Sequence, residues 1–191
     1  PQADLFITTD AGALDRADAA GLLDELDNKT LADRIPAGLQ GKNGTWVPIT
    51  MRARVIVYSK ERAGNNLPKT YEDLADSQWK GRVLIRSSSN AYNQSLLASI
   101  LAAEGRDAAL AWAKGVTANM ARPPQGNDRD QVRSVALGLG ELAVVNTYYL
   151  GLLENADDPK DRAARAAVGV IFPNQAGRGA HVNVSGAGIV K

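Results

Sequence analysis

Cysteine is missing altogether from this 191-residue chain, and histidine occurs once, at His181. The first absence removes disulfides, thiolate metal sites and cysteine nucleophiles together. It suits an exported bacterial protein and a cytosolic one equally. The second removes the usual multi-histidine metal set, and the run Ala180-His181-Val182 places His181 along a predicted strand. Charge of one sign is missing too: 22 basic against 21 acidic side chains leave a net charge of +1. These charges are dispersed, with no dense Lys/Arg cluster, which argues against a nucleic-acid face. No apolar run reaches membrane-spanning length, and there is neither an internal repeat nor a low-complexity tract. The glycine-rich segment 177–188 lacks the dinucleotide fingerprint and the phosphate-loop pattern. Around Ser185 the nucleophile-elbow motif fails, because Asn183 stands where that motif needs glycine.

What is present reads as alternating strands and helices. Residues 5–8 form a strand, and Thr8-Thr9-Asp10 caps a helix carrying Leu14, Ala17, Gly21 and Leu22. Residues 31–44 are polar and turn-rich. Residues 46–58 give a β-rich run interrupted at Pro48, longer than a typical strand and able to cross from one lobe to another. A short helix at 71–74 precedes a buried-type strand at 83–85. Residues 87–90 make a capping loop, Tyr92 opens a helix, and 106–114 is a second helix ended by Gly115. Asn127 or Asp128 caps a further helix with Val132, Val135 and Leu137 inward. After a strand at 142–145 and a short helix come a solvated stretch at 157–165, a strand at 168–172 and a strand pair around 181–184. Such alternation predicts an α/β fold with largely parallel strands. Sites in such sheets form at loops beyond the C-terminal strand ends; residues 87–92 and 146–149 qualify. The chain is long enough for one domain or two small lobes.

The adjacent pair Tyr148-Tyr149 stands out. In a strand, neighbouring side chains point to opposite faces, so two tyrosines converge only where the backbone turns. Asn146-Thr147 supplies that turn, and Leu150, Leu152 and Leu153 continue as a helix. Both phenols then lie at a helix N-terminus, where backbone N–H groups and the dipole favour anions. A phenolate there is a hard oxygen donor for a hard cation. On residues alone, one core ring and one rim ring remains the commoner fate of such a pair, and Tyr58 and Tyr71 read as packing residues.

Several segments together resemble the ferric-iron-binding proteins of the bacterial periplasmic solute-binding superfamily, most of all their tyrosine-rich cyanobacterial branch. The resemblance runs through residues 3–23, 46–60, 67–97, 122–131, 144–150 and 179–190. Tyr71-Glu72-Asp73-Leu74 with Trp79-Lys80-Gly81 marks the wider superfamily, whereas Asn146-Thr147-Tyr148-Tyr149 and Asn90-Ala91-Tyr92-Asn93 mark the ferric branch. The resemblance implies a type II periplasmic-binding-protein fold: two lobes, each a mixed, largely parallel sheet flanked by helices. Lobe 1 would take residues 1–53, lobe 2 residues 54–173, and 174–191 would return to lobe 1. It implies Fe³⁺ held in the interlobe cleft by phenolates of Tyr92, Tyr148 and Tyr149, with Arg52 supporting a ligand phenolate. Asn146, Ser87 and Asn127 fall where relatives hold a small synergistic anion. Arg52 by itself reads as a surface strand residue in an ordinary ion pair, and residues 87–89 as plain loop. One further family ligand, a Tyr or His after the first strand, has no counterpart here, and Thr9 replaces the carboxylate of another branch. The chain opens at Pro1 without Met or export signal and closes on a strand with nothing to cover it. It is therefore expected to be cut inside a domain, lacking an N-terminal strand and C-terminal helices.

The implied function is the solute-binding component of an iron ABC uptake system. It would be a periplasmic monomer that delivers iron to a permease and its ATPase and performs no chemistry on it. Ionising a free tyrosine at pH 7 costs about 4 kcal/mol, and three cost about 12. A structural Zn²⁺ site supplies roughly 10–16 kcal/mol, and a trivalent ion on anionic oxygens should exceed that. Arg52 and the helix start are expected to lower the penalty further. An oxyanion or small organic acid bound by Asn146 and the Ser87 loop is the alternative ligand. A hydrolase or transferase using a tyrosine as acid or base needs a base partner, and no nearby His, Cys or motif supplies one.

Overall fold

The computed structural model describes residues 3–26 and 33–191. Residues 31 and 32 of the polar stretch, and Pro1-Gln2 at the start, lie outside these. The described residues form two compact units: residues 1–52 with 182–191, and residues 53–181. The chain thus passes between units after Arg52 and again after His181, later than the expected return at 174.

In the first unit, β1 (Leu5–Thr8) leads to α1 (Ala11–Ala19). Asp10 caps α1 by accepting from the Ala13 N–H at 3.2 Å, which satisfies one of the N–H groups a helix start leaves open. The first half of β2 (Trp46–Ser59) and all of β6 (Val182–Ile189) complete the unit, with β1 antiparallel to β6. A single strand therefore replaces the expected pair around 181–184, and His181 precedes it. Leu14, Leu23, Trp46 and Val184 make a small core. Gly186 is required there, since a Cβ would come within 2.6 Å of Leu14 Cδ1 and of the Val47 carbonyl.

β2 is one unbroken strand of 14 residues that runs through Pro48. Its second half belongs to the larger unit and lies between β4 (Leu142–Asn146) and β5 (Val168–Ile171), antiparallel to both. β3 (Val83–Leu84) pairs parallel with β4. The sheet is mixed, as expected: β3–β4 is parallel, whereas β2–β4, β2–β5 and β1–β6 are antiparallel. The crossing strand enters from the other unit in the opposite direction, which strand–helix alternation could not reveal.

Period-2 alternation explains why every residue of β4 is buried. Leu142, Val144 and Ile56 face one core, with Leu96 and Ile100 of α2 (Ala91–Glu104) and Trp112 and Val116 of α3 (Arg106–Ala118). Ala143, Val145, Val55 and Val57 face the other, with Val132 and Val135 of α4 (Asp128–Ala136) and Leu150 and Leu153 of α5 (Thr147–Glu154). Helices on both faces make this a layered α/β unit.

Three expectations need correction. The 71–74 helix is a 3₁₀ turn, Glu72–Ala75. Gly115 does not end α3, which continues to Ala118; glycine is needed because a Cβ there would sit 2.6 Å from Ala75 Cβ. The 157–165 stretch is not simply solvated. Asp158 caps α6 (Pro159–Ala166), with proline in the first turn, and buried Asp161 receives a two-pronged bond from Arg133 at 2.6 and 2.8 Å. Gly115→Ala tests the close approach. Alanine's better helix propensity favours the variant by about 1 kcal/mol, but overpacking disfavours it by about 1–3 kcal/mol. The expected result is a lower urea midpoint; an unchanged midpoint would show that the 3₁₀ turn yields freely.

Candidate metal centre

Parallel pairing of β3 and β4 matters most for the site. Val83 lies opposite Leu142 and Leu84 opposite Ala143, so both strands leave the sheet at the same end, where α/β sites form. Beyond β3 the loop reaches α2, whose cap is Asn90 with its Oδ1 accepting from the Tyr92 N–H at 3.0 Å. Beyond β4, α5 begins at Thr147. Tyr92 and the Tyr148-Tyr149 pair thus occupy first turns of helices that start at the same end of the sheet.

The Tyr148 and Tyr149 rings lie 4.2 Å apart between centroids and are tilted by 31°. Tyr148 interacts electrostatically with the phenols of both Tyr149 and Tyr92, so the three side chains lie close together. Tyr148 is 39% exposed, and the other two rings are half-buried. The Tyr148 pKa is pushed up, first by burial and then by the hydrogen bonds and like charge of its two phenolic neighbours. The expectation that the helix start eases ionisation does not hold for Tyr148 without a cation. Three crowded hydroxyls oppose one another's charge, and a cation placed among them removes that opposition. Among the described residues no group of three or more His, Cys, Asp or Glu could hold a metal. The donor set here is purely phenolic oxygen, which suits a hard cation.

Tyr71 shows the contrast. It is fully buried, donates to the Arg54 carbonyl at 2.6 Å and accepts from the His181 N–H at 2.9 Å. Burial pushes its pKa up to about 12. It is a structural hydroxyl, as its packing role predicts.

Beneath the phenols lies a buried polar network that the sequence reading missed. Arg54 is fully buried. Its Nη1 donates to Asp128 Oδ2 at 2.6 Å and to Asn146 Oδ1 at 3.2 Å. Its Nη2 donates to Asn93 Oδ1 at 2.6 Å and to the Val144 carbonyl at 3.2 Å. Asp128 Oδ2 also accepts the Asn146 N–H at 2.7 Å, and Oδ1 faces Arg86 Nη1 at 3.3 Å. The signal was an arginine abutting Val55-Ile56-Val57: a charge on so apolar a strand must be buried and paired.

Of the other expected site residues, Arg52 is buried in the smaller unit. It donates to Ser185 Oγ at 2.7 Å and to the Thr9 carbonyl, so it is not the surface residue that it resembles in sequence. Asn146 is fully buried at the cap position of α5, and its Nδ2 has no partner among the described residues. Ser87 is exposed, with its Oγ 2.8 Å from Ser89 Oγ. Asn127 caps α4, its Oδ1 accepting from the N–H groups of Arg129 and Asp130 at 2.8 and 3.3 Å.

The model of the bacterial extracellular solute-binding protein family matches residues 1–191. The chain belongs to that family. Iron uptake protein A1 of Synechocystis is 49% identical over 99% of this chain and 52% of its own length. Iron uptake protein A2 of the same organism is 45% identical over 98% and 55%. The Trichodesmium protein IdiA (FutA), solved in complex with iron and citrate, superposes with a TM-score of 0.95 at 49% identity. That match covers 100% of this chain and 60% of the other. The chain thus spans about half the length of the curated relatives it matches.

Proposed function

We propose that this chain is part of the solute-binding component of an iron ABC uptake system. It takes Fe³⁺ through the phenolates of Tyr92, Tyr148 and Tyr149 and passes it, in the periplasm, to a permease and its ATPase. The observation that carries the reading is the Tyr148 ring stacked on Tyr149 at 4.2 Å, with the Tyr92 phenol close enough to act on it electrostatically. Three such oxygens, once ionised, neutralise a trivalent ion, and a neutral cluster is cheaper to desolvate than a charged one. The names of the relatives point the same way. A synergistic anion sits near the buried Asn146 amide, whose Nδ2 is without a partner among the described residues, with Ser87 and the Asn127 amide nitrogen as further donors.

Titration of the chain with ferric citrate should raise a visible phenolate-to-iron charge-transfer band that saturates at one iron per chain. Tyr148→Phe should displace that band and weaken binding at least tenfold. A colourless titration, or a band indifferent to Tyr148→Phe, would sink the proposal. Calorimetry against phosphate and sulfate, with no iron added, tests the alternative that the ligand is an oxyanion itself.

A further inference from the structure

The two ligand-bearing helices share a side chain that touches neither phenol in the described contacts yet holds both helix starts. Arg54 reaches α2 through Asn93, the residue after Tyr92, and reaches α5 through Asn146, two residues before Tyr148. Asp128 closes the arrangement by accepting both from Arg54 and from the Asn146 N–H. Asn93 in turn donates from Nδ2 to the carbonyls of Arg86 and Ser87, at 2.8 and 3.3 Å, which ties down the loop leading into α2.

We propose that Arg54 is a positioning residue for iron capture, fixing the spacing between Tyr92 on α2 and Tyr148-Tyr149 on α5. This rests on the phenolate reading above. The physical case is geometric. A guanidinium is a planar fork of five donors, so it can satisfy acceptors on two elements at once in fixed directions. Full burial leaves Arg54 no solvent-facing alternative, so its partners cannot drift apart without breaking charge-assisted bonds. Sites that bind through several donors need those donors preset to within a fraction of an ångström. Tyr92 is the donor most dependent on outside help, since of its sequence neighbours Ala91 is exposed and Asn93, the Arg54 partner, is buried.

Two variants separate this role from plain support of the fold. Arg54→Lys keeps the charge but loses the fork, so it cannot serve Asn93 and Asp128 together. It should weaken ferric-iron binding tenfold or more and move the charge-transfer maximum, at a temperature well below its own melting. Should Arg54→Lys fail to fold, a cycle of Asn93→Ala and Tyr92→Phe decides. Asn93→Ala severs the α2 arm, along with the Asn93 bonds to the Arg86 and Ser87 carbonyls, and should weaken binding several-fold in the unaltered chain, yet have no further effect once Tyr92→Phe has removed the phenol it positions. A merely structural role would make the two substitutions additive, and that result, with the band unmoved, would overturn the positioning role while leaving the iron site intact. Absence of the band from the unaltered chain would instead overturn the iron reading and this one with it.

Discussion

Lowering the pH by one unit should weaken ferric-iron binding by about a thousandfold, or about 4 kcal/mol, because three protons return to the ligand oxygens. An ordinary phenol has a pKa of about 10, and Tyr148 is pushed above that value by burial and by Tyr149 and Tyr92. Near neutral pH the metal-free Tyr148 therefore holds its proton. On the phenolate ligation proposed above, binding would expel one proton from each ligand phenol, so the apparent affinity should climb with pH. Competition against citrate across pH 6 to 8 measures the slope, and Tyr148→Phe supplies the control. Removing one phenol should lower the slope by one proton per iron, whatever citrate's own protonation contributes. An identical slope in Tyr148→Phe would mean that this oxygen is not a ligand.

The metal-free protein has its own linkage, of a definite sign. Tyr71, raised to about 12, and Tyr148, also raised, hold their protons more tightly folded than unfolded. Their contribution to stability is complete below about pH 10 and is lost as pH rises through the folded values. On the proposed function, iron would move the Tyr148 contribution the other way, since the bound form would need the phenolate. Tyr71 takes no part in that reversal, because its hydroxyl is committed to Arg54 and His181.

Much of this was readable from one dimension. A tyrosine pair after a short apolar strand and a turn must leave the sheet together. A second tyrosine after another buried strand becomes its neighbour once the two strands pair in parallel, which β3 and β4 do. Periodicity could not rank the arginines. Arg52 and Arg54 are two apart on one strand and so share a face. What separates them is the passage between units after Arg52. Arg54 falls under the sheet edge from which Tyr92 and Tyr148 emerge, and Arg52 falls beside Thr9 and Ser185. Asp161 shows the same blindness. Its run of charges reads as solvated, and only the fold brings Arg133, 28 residues earlier, into a two-pronged bond with it. The Asp158-Pro159 helix start carried a local signal, a cap followed by proline, that reading 157–165 as solvated passed over.

Asp128→Ala should destabilise the metal-free protein by about 3–5 kcal/mol, the usual consequence of removing one partner of a buried ion pair. Arg54 and Asp128 are both fully buried and 2.6 Å apart. Burial already holds the Arg54 pKa below its ordinary value despite the pull of Asp128. Without that carboxylate the guanidinium keeps its dipolar partners Asn93, Asn146 and Val144 but loses its close counter-charge. The Asn146 N–H is orphaned as well, a loss of about 1–3 kcal/mol when taken alone, though the two effects overlap and do not sum. Against a typical total of about 5–15 kcal/mol, the urea midpoint should fall steeply at unchanged slope. Asp128→Asn keeps one acceptor and should lie between. Glu61→Gln breaks a solvent-exposed pair with Arg62, where screening and side-chain entropy cancel most of the attraction, and should leave the midpoint where it was. If Asp128→Ala unfolded no earlier than Glu61→Gln, the network under the tyrosines would be incidental to the fold, and the helix starts that carry the phenols would have to be held by the apolar packing of Leu96 and Leu150 alone.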